Sequence, residues 1–93
     1  MGVTVEKPSP QELQSLKVET WSPWGCEVST FDWKYEEEET CFVREGRVRV
    51  RAGKDTVEFG AGDLVTFPKG LSCTWEVLEP VRKVYTFNLQ RQN

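Results

Sequence analysis

Histidine is absent from this 93-residue chain, cysteine occurs three times and methionine once. Without an imidazole the chain lacks the usual general base for neutral pH and the commonest metal ligand. Nucleophile pairs of the Ser–His and Cys–His kind are therefore excluded. The cysteines, Cys26, Cys41 and Cys73, are odd in number and far apart. That spacing excludes a C-x-x-C zinc site and a disulfide framework, and reduced thiols in a cytoplasmic compartment are expected. No apolar run approaches the ~18 residues of a membrane span, so no membrane partner is expected. Positive charge is also short: 12 Lys and Arg stand against 15 Asp and Glu, a net −3. Phosphate binding needs a basic surface, and no nucleic-acid partner is expected. Met1 to Pro8 lacks the basic-then-apolar layout of a secretory leader, and Glu6 stands where N-myristoylation needs Ser or Thr.

What is present describes one ordinary globule, 38% hydrophobic and 29% charged. The expected organisation is a single domain over 1–93, with a helix at about 9–17 and a barrel at about 18–89. The helix has a written start: Ser9 as N-cap, Pro10 at the first helical position and Glu12 at the third, a capping box. Leu13 and Leu16 form its apolar stripe, and the β-branched Val18 and Thr20 place its end before them.

The rest reads as strands. Glu27 to Tyr35 alternates loosely through Val28, Phe31, Trp33 and Tyr35. Cys41-Phe42-Val43 leads to an expected hairpin turn at Arg44-Glu45-Gly46-Arg47, and Arg47 to Arg51 alternates strictly, marking one wet and one buried face. Ala52 to Asp55 is a turn, Thr56 to Phe59 a strand, Gly60 to Asp63 a turn and Leu64 to Phe67 a strand. Two further strands are expected at Cys73–Val77 and Val81–Leu89, with a polar tail from Gln90 to Asn93. Seven to nine short strands joined by Gly-rich turns predict an all-β sandwich or barrel.

Two motifs resemble those of the cupin superfamily. In G-x5-P-x-G-x2-H-x3-N, Gly62, Pro68 and Gly70 fall on the framework, while Cys73 replaces His and Val77 replaces Asn. In G-x5-H-x-H-x3,4-E-x6-G, Glu39 and Gly46 match, but Trp33 and Tyr35 occupy the histidine positions and Glu27 the first Gly. The segments Phe31–Trp33, Glu39–Cys41, Gly62–Gly70 and Trp75–Tyr85 look like the small single-domain cupins grouped with ureidoglycine aminohydrolase, to which ethanolamine-utilisation cupins are related. The resemblance implies a small cupin jelly-roll barrel with one short N-terminal helix. It also implies a homodimer, since cupins commonly pair strands or sheets across subunits, and covering strand edges would favour this. The aminohydrolase is a two-domain manganese enzyme, and its reaction does not carry over to a chain without its second domain and histidines.

The positions matching the superfamily's ligands are Trp33, Tyr35, Glu39 and Cys73. A thiol with one carboxylate is a poor replacement for an imidazole-rich set, so no metal and no cofactor are expected. Trp33, Tyr35 and Trp75 either wall a ligand pocket or fill the core, as interior side chains of small barrels do. Cys73 is either a nucleophile or an inert buried thiol. Glu36 to Glu38 read as a solvated loop. Glu39, if buried in an apolar barrel, acquires a raised pKa and the capacity for acid–base work; alternatively it bonds to Tyr35 or a backbone amide. Arg47, Arg49 and Arg51 are expected to be a surface ladder paired with acids such as Glu58, and Lys69, Arg82 and Lys83 to be surface charges.

The leading functional expectation is a binding module that holds a small polar metabolite, without a His-ligated metal, among Trp33, Tyr35, Glu39, Cys73 and Trp75. A metal-independent enzyme, isomerase or aminohydrolase-like, with Glu39 or Tyr35 in proton transfer, is the first alternative. Metal-independent cupin isomerases offer a fold-level parallel, although their usual catalytic histidine is missing here. A structural or regulatory subunit is the second.

Overall fold

The computed structural model describes residues 1–91, so the last two positions of the expected tail lie outside the described residues. The chain runs β1 (Thr4–Glu6), α1 (Pro10–Leu16), a 3-10 turn (Val18–Thr20), β2 (Ser22–Cys26), β3 (Ser29–Lys34), β4 (Glu39–Ala52), β5 (Asp55–Gly60), β6 (Leu64–Phe67) and β7 (Ser72–Phe87).

The capping box forms as expected, with Ser9 Oγ accepting from Glu12 N–H and the Glu12 carboxylate accepting from Ser9 N–H. The helix stops where Lys17 takes the left-handed conformation at φ 57°. It buries no residue fully, and Leu13 and Leu16 are only half-buried.

Two long strands organise everything else. The first part of β4 (39–43) pairs with the second part of β7 (83–87), and the second part of β4 (47–51) with the first part of β7 (74–79). Around the first pairing stand β6, β1 and β2; around the second stand β5 and β3. One seven-stranded assembly thus folds into two faces, and β4 and β7 pass from one to the other through a bulged corner.

That corner overturns two expectations. No hairpin forms at Arg44–Arg47, and the two strands expected at Cys73–Val77 and Val81–Leu89 are one, β7, which ends at Phe87. Gly46 does need its freedom, at φ 94°, but the register shifts around it bend β4 without reversing it. A Cβ there would stand 2.2 Å from the Pro80 carbonyl oxygen, so the two strands touch backbone to backbone at the bend. Two strands were also not anticipated. β1 is a three-residue edge strand, and β2 begins in Ser22-Pro23, where proline is tolerated at a strand start.

The core lies between the two faces. Val43, Val65, Phe67 and Val81 come from one; Val48, Val50, Phe59, Trp75 and Val77 from the other, all buried. Phe67 stacks on Tyr35 at 4.6 Å between centroids and meets Phe59 and Trp75 at 5.9 and 5.8 Å, which closes one end of the interior with aromatic rings.

Candidate functional site

Above this aromatic floor the two faces part around a cavity of about 310 Å³. Seven aromatic side chains line it, Trp24, Phe31, Trp33, Tyr35, Trp75, Tyr85 and Phe87, together with Glu39 and Lys83. The choice between an aromatic core and an aromatic wall resolves by layers. Phe59 and Phe67 fill, Tyr35 and Trp75 do both, and Trp33 and Phe87 form a rim, each 52% exposed.

Strand periodicity places the charged residues. Glu39, Cys41 and Val43 alternate inward on β4, as Val81, Lys83 and Tyr85 do on β7. Glu39 and Lys83 thus share the interior, both nearly buried, with Lys83 Nζ donating to Glu39 Oε2 at 2.6 Å. The ammonium also stands 4.8 Å from the Trp75 ring, 5.1 Å from Trp24 and 5.6 Å from Tyr85. Three ring faces and a carboxylate replace the water that a lysine otherwise keeps. The expectation that Lys83 is a surface charge is therefore wrong, and among the described residues Glu39 bonds to neither Tyr35 nor a backbone amide. Its surroundings are not purely apolar, because a cation sits against it.

Tyr35 closes the cluster. Its hydroxyl accepts a hydrogen bond from Trp75 Nε1 at 3.0 Å. Burial, then the negative charge of Glu39, raises its pKa well above the ordinary range, so the hydroxyl keeps its proton. Cys41, two residues along β4 from Glu39, has a thiol pushed up to about 12, mainly by burial, with Lys83 working in the opposite direction.

Cys73 is not among the cavity-lining residues. It borders a separate shallow depression beside Asp32, Trp33 and Arg51. Burial, then the charge of Asp32, raises its pKa, which disfavours the thiolate a nucleophile needs. Four of the five residues singled out from sequence, Trp33, Tyr35, Glu39 and Trp75, line one cavity. Trp24, Phe31, Lys83, Tyr85 and Phe87 join them without having been singled out. For Lys83 a signal existed, its inward parity between Val81 and Tyr85, but the default exposure of lysine overrode it.

A profile of the EutQ-like cupin domain matches residues 13–85. The chain belongs to the EutQ-like cupin family. Its fold is the small cupin β-barrel, mostly strand with one short helix. A DUF861-family protein from Thermotoga maritima, of known crystal structure, is 52% identical, with 91% of this chain and 98% of that one covered and a TM-score of 0.90. The EutQ protein of Clostridium difficile is 22% identical over 89% of this chain and 64% of its own, with a TM-score of 0.65. A putative ethanolamine utilization protein Q from Salmonella typhimurium is 24% identical over 95% and 71%, with a TM-score of 0.62. At those identities the last two show the shared fold alone. Among proteins of curated function, none matches this cupin.

The positions at which the superfamily holds a metal carry, in this cupin, a half-exposed indole at 33, a protonated phenol bonded to Trp75 at 35, and a carboxylate bonded to an ammonium at 39. The thiol at 73 lines a different depression. Among the described residues no three His, Cys, Asp or Glu side chains converge. This donor set does not fit a metal ion.

Proposed function

We propose that this cupin is a small-molecule-binding protein whose cup takes a polar organic molecule against the Glu39–Lys83 pair, between aromatic walls and without a His-ligated metal. One observation carries the reading: an ion pair is held at the inner end of an open aromatic cavity. Burying two charges costs several kcal/mol each, and a hydrophobic pair of similar volume would serve stability as well or better. A pair kept at such cost where a ligand can reach it supports recognition. The lining, mostly aromatic with a few convergent polar groups, has the usual composition of a ligand site.

A second reading rests on the same cluster. Glu39, Lys83 and the proton-bearing Tyr35 stand together, which supports proton transfer on a bound metabolite, with Glu39 or Lys83 exchanging the proton and Tyr35 donating a hydrogen bond. Kinship with the ureidoglycine aminohydrolase group, a homodimeric state, a cytoplasmic location and the lack of nucleic-acid or membrane partners belong to this proposal too. Among the described residues no helix is long and apolar enough to cross a membrane.

The test is a thermal-shift and calorimetric screen of small polar metabolites, followed through the fluorescence of Trp24 and Trp75. A hit that stabilises the wild type and is lost in Lys83→Met and in Trp75→Leu supports binding in the cup. Absence of any hit across broad chemical classes would transfer the function to a subunit role.

A further inference from the structure

The cup's charges also set a rule for what it admits, an inference that rests on the binding reading above. Lys83 and Glu39 are the charged residues of the lining and sum to zero. Among the described residues Lys83 is the donor to the Glu39 carboxylate, and it uses Oε2. No buried side-chain polar atom among them is left without a partner, so Oε1, which accepts no such bond, is not fully enclosed, and its residue lines the cavity. The ammonium has three N–H donors, of which Oε2 takes one. An acceptor without a bonded partner and donors held only by ring faces thus stand side by side, and a ligand oxygen is a stronger acceptor than a ring face.

We propose that the cup selects net-neutral molecules presenting a hydrogen-bond acceptor next to a donor, with a carboxamide or lactam as the matching group and a flat apolar part for the aromatic walls. The carbonyl oxygen accepts from Lys83 and the amide N–H donates to Glu39 Oε1. Both new bonds involve an ionised partner, the stronger kind. An anion would meet Lys83 but face the Glu39 carboxylate; a cation would meet Glu39 but face the Lys83 ammonium. Either leaves an unmatched charge in a poorly hydrated site. A zwitterion balances its charges but brings two hydration shells to strip, at several kcal/mol each, whereas an amide brings only dipoles.

Benzamide, benzoate and benzylammonium share a ring and differ in charge, so they are the probes. Their dissociation constants at pH 7 are measured by ligand-observed NMR and titration calorimetry on the wild type, Lys83→Met and Glu39→Gln. The wild type is expected to bind benzamide at least tenfold more tightly than either ion. Lys83→Met should shift the preference towards benzylammonium, and Glu39→Gln towards benzoate, each by tenfold or more relative to benzamide. A wild type preferring an ion overturns the neutrality rule while leaving the cup a ligand site. Failure of all three probes to bind the wild type overturns the rule and counts against the binding reading itself. The wild-type ranking decides the matter even if a variant does not fold.

Discussion

The same ionic chemistry occurs twice in this barrel, with opposite consequences. On the outer face of β4, Arg47 and Arg49 share Glu58 at 3.1 and 3.2 Å, and Arg51 reaches Glu76 at 3.0 Å. On the inner face, Lys83 meets Glu39 at 2.6 Å. The outer groups are mostly 38% or more exposed, with Glu76 at 22%, while both inner partners are 7% exposed. Water solvates the ladder whether or not its pairs form, so each contact contributes about 0–1 kcal/mol. The inner pair has given up its water, so each partner is indispensable to the other. An ion pair that confers little on folding but cannot be halved is suited to a recognition site.

The sharpest way to break this comparison is to remove one inner partner. Lys83→Met is expected to lower unfolding free energy in urea by about 3–5 kcal/mol, because it strands a buried carboxylate, and Lys83→Met with Glu39→Leu should recover most of the loss. If the single change cost no more than a ladder residue, the distinction between the two regions would collapse.

The corner joining the two regions comes next. Gly46→Ala places a Cβ against the Pro80 carbonyl oxygen at a φ of 94°, and a loss of at least about 1–3 kcal/mol is expected from the backbone conformation alone. Circular dichroism melts will show whether the ladder half and the cup half of β4 unfold together, as a shared bend requires.

Alkali tests the buried acids, Cys41 and Tyr35 in the inner region and Cys73 in the neighbouring depression. Cys41 titrates ordinarily at 9.0 but is pushed up to about 12 in the fold. Folding favours its protonated form, so that contribution is complete below pH 9 and lost as pH rises towards 12. Tyr35 acts in the same sense from pH 10 upward. Urea midpoints measured between pH 8 and 11 should fall, and Cys41→Ala should flatten part of the slope nearest pH 9, with the share of Cys73 remaining. The smallest effect belongs to the ladder. Glu58→Gln is expected to cost less than about 1 kcal/mol, and the difference should shrink further in 1 M NaCl, where the Debye length is about 3 Å.

The framework was the more legible half. Leu64–Phe67, the turns at Gly53 and Gly62 and the capping box at Ser9 came from local rules: period-2 alternation, glycine at positive φ, and a hydroxyl for orphan N–H groups. The Arg47–Arg51 alternation identified the ladder and the buried Val48 and Val50. Errors clustered at the bend. Glu45-Gly46 has the composition of a hairpin turn, and only contact with Glu79-Pro80 on the other long strand makes it a bulge instead. At the site, Tyr35 and Glu39 were found through motif spacing. Lys83 was missed because its burial depends on a carboxylate 44 residues away and on rings from β2 and β7.

Sequence alone determined the all-β class, most strand positions, the helix start and the exclusion of imidazole chemistry, since each follows from near neighbours or from composition. The choice of a barrel over a sandwich came from the motif resemblance. Tertiary structure decided that β4 and β7 cross between faces, that Cys73 stands apart from the cavity, and that a lysine and a glutamate share its interior. The physical reason is range. Turn and alternation preferences act over a few residues, whereas the burial of a charge is settled by whichever distant groups the fold brings to replace its water.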